Sequence, residues 1–320
     1  MARLTSIIAV GCVALLPMAA KADTYPERPI TLVIAFAPGS GIDTVGRILA
    51  GHVAKALKQS IVVENKVGAN AAIAATYVAR AKPDGYTLFI GSSSSLSANP
   101  SLLKNISYDP VKDFAPVALI GSFAYMLVVH PSVPARSIME LVAYARANPG
   151  KLSYASSNAN GLVAGTTFVQ WAGLNITHIP YKSAPPAIND VLGGRISMMF
   201  ADVTTALPHV RANTLRGMAV IASRRSALLP DLPSLSEIGL ADFDSPSWNG
   251  IVAPANTPRD VISRLNVEMQ KVVGDPAIKT QLADLGFEAY SSTPSEMEDF
   301  VKAQIIKWSR LVKDAGIEMQ

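Results

Sequence analysis

Ile30-Thr31-Leu32-Val33-Ile34-Ala35-Phe36 is followed at once by Ala37-Pro38-Gly39-Ser40-Gly41-Ile42-Asp43. The first run is typical of a hydrophobic strand. The second is a glycine-rich turn that leads into a helix predicted from about Ile42 to Leu57. A turn of this kind places backbone N–H groups at a helix N-terminus, where an anion is favoured. The stretch therefore predicts an α/β unit with an anion site at the end of its first strand.

The first 22 residues are typical of a secretory signal peptide. Arg3 supplies a positive charge, residues 7–20 form an apolar run that is short for a membrane span, and Ala20-Lys21-Ala22 fits the small-x-small cleavage rule. We expect cleavage after Ala22 and a periplasmic mature chain, with an uncleaved membrane anchor as the alternative. Together, the leader and the anion site favour capture of a small acid over nucleotide chemistry.

The composition argues against thiol chemistry and nucleic-acid binding. Cys12 is the sole cysteine and lies in the leader, so the mature chain has no disulfide. The chain has 28 Lys and Arg against 24 Asp and Glu, and losing Arg3 and Lys21 lowers its formal net charge from +4 to +2. Apart from Arg224-Arg225, the basic residues are scattered, which predicts no nucleic-acid partner.

Strands and helices alternate along the rest of the chain. This alternation predicts parallel sheets covered by helices on both faces, and 320 residues favour two lobes over one. We expect a discontinuous first lobe made of residues 23–122 and 241–320, and a second lobe of residues 123–240. The crossings near Ser122 and Leu240 are the predicted hinges.

Four small, polar loops follow predicted strands, at residues 38–43, 91–95, 156–161 and 180–184. Ligands of open α/β sheets bind outside the carboxyl ends of strands. These loops, and the end of a strand predicted at 196–200, supply the candidate ligand contacts: Pro38, Gly39, Ser40, Gly41, Asp43, Ser92, Ser93, Ser157, Asn158, Gly161, Tyr181, Lys182, Ser183, Ala184 and Asp202.

Sequence patterns of enzymes and cofactor sites are incomplete in this chain. Thr44 stands where a dinucleotide fingerprint needs its last glycine, and Gly91-Ser92-Ser93-Ser94-Ser95 lacks the second glycine of a nucleophile elbow. The four histidines are isolated in the sequence: His52, His130, His178 and His209. We therefore predict no cofactor, no metal site and no nucleophile–base pair.

Motifs in a specific order and spacing resemble the Bug family, the extracytoplasmic substrate-binding proteins of tripartite tricarboxylate transporters. The resemblance covers nearly all of residues 23–320. The motifs that carry it are Tyr25-Pro26, Arg28-Pro29-Ile30, Pro38-Gly39 with Asp43, Val63-Glu64-Asn65-Lys66, Pro83-Asp84-Gly85-Tyr86-Thr87-Leu88, Tyr108-Asp109-Pro110, Ile179-Pro180-Tyr181-Lys182, Asp190-Val191-Leu192-Gly193-Gly194 and Ala253-Pro254 with Thr257-Pro258.

The resemblance implies an α/β, two-lobed periplasmic-binding-protein (Venus-flytrap) fold, each lobe a mostly parallel sheet flanked by helices. It implies a small carboxylate held between the lobes by the loops at 38–43 and 180–184, largely through backbone N–H groups and ordered water. It also implies delivery to a membrane permease, and we expect a monomer. Ser40 and Ser183 depart from the family pattern, which usually has glycine at both positions.

Several alternatives stay open at this point. A periplasmic sensor that presents the carboxylate to a signalling receptor would use the same pocket, and an enzyme is a distant third. The ligand could be an aliphatic diacid, a monoacid or an aromatic acid. We expect the N–H of Gly39 to face the ligand and favour Asp43 as a helix N-cap over a ligand contact. The side chain of Lys182 either pairs with the ligand or is solvated.

Overall fold

A computed structural model describes residues 25–221, 225–239 and 247–320. The predicted signal peptide and the hinge predicted near Leu240 lie outside the described residues. In the described part of the chain, no helix has both the length and the apolar character needed to cross a membrane.

The described strands and helices alternate for most of the chain. The strands are β1 (Ile30–Ile34), β2 (Ile61–Asn65), β3 (Thr87–Ser92), β4 (Phe114–Phe123), β5 (Tyr125–Val129), β6 (Ser153–Ser156), β7 (Thr177–Pro180), β8 (Met198–Asp202), β9 (Arg216–Ile221), β10 (Asn249–Pro254) and β11 (Phe287–Ala289). The helices are α1 (Gly41–Leu57), α2 (Ala72–Ala79), α3 (Asn99–Leu102), α4 (Ile138–Ala147), α5 (Ala159–Ala172), α6 (Ala184–Leu192), α7 (Val203–Arg211), α8 (Arg259–Gly274), α9 (Pro276–Ala283) and α10 (Pro294–Asp314).

The strands form two sheets, so the α/β class and the two-lobed architecture predicted from the sequence are confirmed. The first sheet has the order β11-β4-β10-β3-β1-β2, and the second has the order β7-β6-β8-β5-β9. The chain passes from the first sheet to the second at Ala124, between β4 and β5. It returns between β9 and β10.

Most strands of each sheet point the same way, but each sheet also contains antiparallel neighbours. In the first sheet, β10 is antiparallel to both β3 and β4. In the second, β5 is antiparallel to both β8 and β9. The crossings account for these pairs, because β4 and β9 lead towards a crossing, whereas β5 and β10 lead away from one. In each sheet, the strand that enters from the other sheet is therefore antiparallel to both of its neighbours. The edge strand β11 is also antiparallel to its neighbour β4.

The C-terminal helix α10 packs against both parts of the molecule. Met297, near its start, is fully buried in the core of the first sheet. Trp308, three turns later, is fully buried in a separate apolar cluster with Ala159 and Val163 of α5. Since α5 follows β6 of the second sheet, this helix joins the two halves at a place away from the chain crossings.

Three local predictions are corrected by the structure. The serine-rich segment at 91–95 is not a loop: β3 continues to Ser92, and residues 94–98 form a π-helical turn. The polar segment at 156–161 ends early, because the side chain of Asn158 accepts the N–H of Gly161 and so begins α5. The sequence predicts Pro258 as the first residue of a helix, since proline favours that position, but Pro258 has an extended ψ of 140° and precedes α8.

Candidate ligand-binding cleft

A cleft of about 410 Å³, part of it open to solvent, lies where the two sheets meet. Its lining comes from both halves of the molecule: Phe36, Ser40, Gly41, Ile42, Ser92, Ser93, Ser94, Phe123, Tyr125, Ser157, Asn158, Asn160, Ala184, Asp202, Ser247 and Asn249. Eight of the fifteen candidate contacts named from the sequence are among these residues: Ser40, Gly41, Ser92, Ser93, Ser157, Asn158, Ala184 and Asp202.

Four helices begin at the cleft. Ser40 is the N-cap of α1, Asn158 is the N-cap of α5, Ala184 is the first residue of α6, and Asp202 is the N-cap of α7. The N-terminus of a helix carries the positive end of its dipole and has N–H groups that lack partners within the helix. The positive ends of four helix dipoles therefore converge on a cleft whose lining, among the described residues, contains no basic side chain.

The first turn of α1 directs backbone donors to the cleft. The Ser40 hydroxyl accepts the N–H of Asp43 at 3.4 Å, and the Ser40 carbonyl accepts the N–H of Thr44. Gly41 and Ile42 lie between these residues, and their N–H groups have no acceptor inside the helix. Both residues line the cleft. They can therefore donate to one anionic group placed at the helix terminus.

In α6, one backbone donor stands at the cleft. Ala184 lines the cleft and is followed by Pro185 and Pro186, which have no N–H. Ala184 is therefore the residue whose N–H can serve a ligand at this helix terminus.

Asp43 belongs to a hydrogen-bond network outside the cleft lining, and this network corrects two predictions. Its carboxylate accepts hydrogen bonds from Arg47 at 3.0 Å, from Asn65 at 2.8 Å and from the N–H of Gly39 at 3.0 Å. Asp43 is thus the third helical residue, and the N-cap is Ser40, three residues before the predicted cap. The N–H of Gly39 is bonded to Asp43 and does not face the cleft.

The pKa of Asp43 reflects this network. Burial alone would raise it, but the hydrogen bonds from Arg47, Asn65 and Gly39 outweigh burial and hold the pKa below its usual value. Asp43 is therefore an ionised carboxylate that shapes the loop. Gly39 itself is exposed, with a φ of +80°, and Pro38 beside it is exposed as well.

The segment at 180–184 contacts the cleft only at its end. The hydroxyl of Tyr181 donates to Asp190 of α6 at 2.5 Å, so this side chain contacts α6 and not the cleft. Lys182 is exposed and does not line the cleft. Ser183, which precedes Ala184 in the chain, is buried and is not among the lining residues either. Gly161 is also outside the lining, since it packs in α5 against the carbonyl of Phe200.

Among the described residues, three hydrogen bonds join the two halves directly around the cleft. The N–H of Ala37 donates to the Ser183 hydroxyl at 3.0 Å. The Ser93 hydroxyl donates to the Asn160 side-chain oxygen at 2.7 Å. The N–H of Ala159 donates to the Ser94 hydroxyl at 3.1 Å. The serine at position 183, where a family glycine was expected, thus supplies one of these contacts.

Asp202 is the one charged residue among the lining residues of the described chain. It ends β8, its exposed fraction is 6%, and its carboxylate accepts the N–H and hydroxyl of Thr205 at 2.8–3.0 Å. Burial raises its pKa, although the bonds from Thr205 act in the opposite direction. A Cβ atom on Gly41 would overlap the Asp202 carboxylate, so the start of α1 and this carboxylate are in close contact across the cleft.

Several lining residues were missed by sequence reasoning. Tyr125 begins β5 directly after the crossing, and its hydroxyl accepts a hydrogen bond from the Asn158 amide. Asn249 begins β10, where the chain returns to the first sheet. Both lie at strand starts next to a crossing, whereas the ligand site of an open α/β sheet is expected at strand ends. Their proximity to the two predicted crossings was the signal available in the sequence.

A serine and a histidine that looked isolated in the sequence are neighbours. Ser156 Oγ lies 2.7 Å from His178 Nε2, and the ring of His178 stacks on Tyr154. Burial lowers the pKa of His178, and neither residue of this pair lines the cleft. His178 is therefore isolated in the sequence but has a polar neighbour in the fold. Ser156 ends β6 and His178 lies in the neighbouring strand β7, so the pair is a contact between two strands, which is typical of a structural role.

The fold and the cleft define a two-lobed binding protein, and comparison with known proteins gives its family. The family described as tripartite tricarboxylate transporter family receptor matches residues 45–317. The chain belongs to this family of periplasmic solute-binding receptors, as the resemblance to Bug proteins predicted.

Solved structures of similar proteins agree with this assignment. The periplasmic binding protein BugD is 35% identical, with a TM-score of 0.89 over 92% of this chain and 100% of that one. An R. palustris protein solved with adipate is 32% identical, with a TM-score of 0.90 and the same coverage. MatC from Rhodopseudomonas palustris, with bound malate, is 29% identical, with a TM-score of 0.84 over 90% of this chain and all of that one.

Proposed function

We propose that this chain is an extracytoplasmic solute-binding protein that captures a small organic carboxylate between its two lobes and delivers it to a membrane permease of the tripartite tricarboxylate type. The single observation that carries the proposal is the convergence of four helix N-termini on one cleft. Backbone N–H groups there can replace the water lost by a carboxylate, which is costly to bury without partners. The adipate and malate bound in two similar structures support the same ligand chemistry.

We propose that the ligand contacts the residues that line the cleft. Gly41, Ile42 and Ala184 would donate backbone N–H groups, and the side chains of Ser92, Ser93, Ser157 and Asn158 would complete the shell. Lys182 and Tyr181 would stay outside it. Recognition would therefore depend on main-chain donors, so that a substitution that removes a charge outside the cleft has little effect on affinity.

The mature protein is proposed to be a periplasmic monomer that begins at Asp23. Its two moving units would be residues 23–122 with 241–320, and residues 123–240, which open and close at the two crossings. The three hydrogen bonds across the cleft would form on closure. A ligand that contacts both units stabilises the closed arrangement by the difference between its affinities for the two states.

Thermal unfolding tests the ligand class. Purified mature protein is unfolded with saturating organic acids and, as controls, with the corresponding neutral amides. At about one hundred times its dissociation constant, a binding acid adds roughly 2.7 kcal/mol to the free energy of unfolding. Amides should add nothing. Equal stabilisation by acid and amide would show that the cleft does not recognise a carboxylate.

Two further measurements test closure and delivery. Small-angle scattering should show a smaller radius of gyration with the bound acid than without it. A strain that lacks this protein should lose uptake of the same acid. If uptake persists while acid-dependent gene induction is lost, the protein is a sensor and the delivery role is wrong.

A further inference from the structure

Two buried hydrogen-bond acceptors face a cleft whose other groups suit an anion. Asp202 brings a carboxylate with an exposed fraction of 6%. Asn249, with an exposed fraction of 3%, brings a side-chain oxygen that has no hydrogen-bond donor among the described residues. Backbone donors at the start of α1 and α6 can satisfy a ligand carboxylate, but such a carboxylate has no proton to donate to these two acceptors. A buried acceptor without a donor costs free energy, so the Asn249 oxygen favours a ligand that can donate.

The bonds that Asp202 receives do not use its full capacity. Thr205 supplies its N–H to Oδ1 at 2.8 Å and its hydroxyl to Oδ1 at 2.9 Å and Oδ2 at 3.0 Å. The hydroxyl has a single proton, which cannot serve both oxygens fully, and a carboxylate has about four acceptor positions. Among the described residues, no lysine, arginine or histidine forms an ion pair with Asp202. The Asp202 carboxylate can therefore accept a further hydrogen bond.

The charge of Asp202 also bears on the choice of ligand. A plain acid or diacid brings only negative groups into a small space that already contains a buried carboxylate, and their repulsion is strong where water is excluded. An ammonium group on the ligand would instead pair with Asp202, and a hydroxyl group would donate to it. The carboxylate of the same ligand would remain at the helix N-termini.

We propose that the cleft selects carboxylates that also carry an ammonium or hydroxyl group, and that Asp202, assisted by Asn249, accepts hydrogen bonds from that group and determines this specificity. The inference rests on the proposed function and narrows it to amino acids and hydroxy acids. Both kinds of ligand offer Asp202 a hydrogen-bond donor, and the experiment below distinguishes the ammonium group of an amino acid from the hydroxyl group of a hydroxy acid.

The experiment compares acids that differ in one substituent. Calorimetric titration of mature protein uses sets of an unsubstituted acid, its 2-hydroxy acid and its 2-amino acid on the same carbon skeleton. The sets are propionate, lactate and alanine; succinate, malate and aspartate; glutarate, 2-hydroxyglutarate and glutamate; and phenylpropionate, phenyllactate and phenylalanine. On a skeleton that binds, a substituted acid should bind at least roughly tenfold more tightly than the unsubstituted one, as expected for a hydrogen bond to a charged group.

Variants connect the preference to Asp202. Asp202→Asn keeps an N-cap acceptor for Thr205 but removes the charge, and it should reduce the preference for the substituted acid about tenfold. Asp275→Asn is the matched control, because Asp275 is the exposed N-cap of α9, outside the cleft. It should leave the preference unchanged. Asn249→Leu should also reduce the preference, and it serves as the test if Asp202→Asn fails to fold.

The outcomes separate this inference from the function on which it rests. A preference for the amino acid alone identifies ammonium pairing with Asp202, and a preference for both substituted acids identifies a general acceptor. If the unsubstituted acid binds as tightly as the others, or if Asp202→Asn and Asn249→Leu both keep the preference, the inference is wrong while the carboxylate function stands. If no acid of any set binds, the carboxylate function itself is wrong.

Discussion

The N–H of Ala37 donates to the hydroxyl of Ser183 at 3.0 Å, and this bond joins the turn after β1 to the start of α6. The two residues are 146 positions apart in the chain and belong to different halves of the molecule. Ser183 is almost completely buried, and its side chain does not cap its own helix. Its hydroxyl is therefore placed to hold the two halves together.

Ser183→Ala should weaken ligand binding more than it weakens the fold. The closed arrangement would lose one hydrogen bond, which contributes about 1 kcal/mol, or roughly fivefold in affinity. Titration of the ligand and a melting curve measure the two effects separately. Ser137→Ala is the control, because Ser137 caps α4 far from the cleft and should lower the melting temperature without changing affinity. An unchanged affinity in Ser183→Ala would mean that this bond does not contribute to closure.

Gly41→Ala should lower affinity while the helix remains intact. The added methyl group would overlap the Asp202 carboxylate, which must move or keep the two halves apart. Overpacking of this kind costs about 1–3 kcal/mol, so affinity should fall roughly tenfold or more. Gly51→Ala in the same helix faces open space and should leave binding unchanged. Normal affinity in Gly41→Ala would place the ligand-bound arrangement further open than this structure.

Asp43 should stabilise the protein at neutral pH and lose this effect in acid. Its pKa is lowered on folding, so its contribution is present above the ordinary value of 3.8 and is lost as the pH falls through the lower folded value. Melting curves of the ligand-free protein and of Asp43→Asn should differ most near pH 6 and converge as the pH falls below 3.8. A difference in melting temperature that stays constant with pH would show that Asp43 is not an ionised hydrogen-bond acceptor in the folded state.

Asp202 should have the opposite pH dependence. Burial raises its pKa, so the folded protein holds this proton more firmly than the unfolded chain does, and ionisation of Asp202 destabilises the fold above the ordinary value of 3.8. Without ligand, Asp202→Asn should therefore melt at a higher temperature than the natural chain at pH 7. The difference should shrink as the pH approaches 3.8. A lower melting temperature at pH 7 would instead indicate that the ionised form is stabilised in the fold.

The outcomes at Asp43 and Gly39 show where sequence reasoning about the site reached its limit. The turn after β1 was correctly placed at the cleft, because a glycine-rich segment between a strand and a helix has few alternatives. The direction of one N–H group was wrong, since it depends on whether the Asp43 carboxylate bonds to Gly39 or points elsewhere. Arg47 and Asn65 decide that choice, and Asn65 is 22 positions from Asp43.

The sequence by itself determined the alternation of strands and helices, the two lobes and the family. These follow from hydrophobic periodicity, turn residues and motif order, which are local properties of the chain. The tertiary structure decided which of the candidate residues line the cleft, and it added others. Tyr125 and Asn249 reach the cleft because the crossings place β5 and β10 between other strands of each sheet, and hydrophobic periodicity does not specify which strands become neighbours.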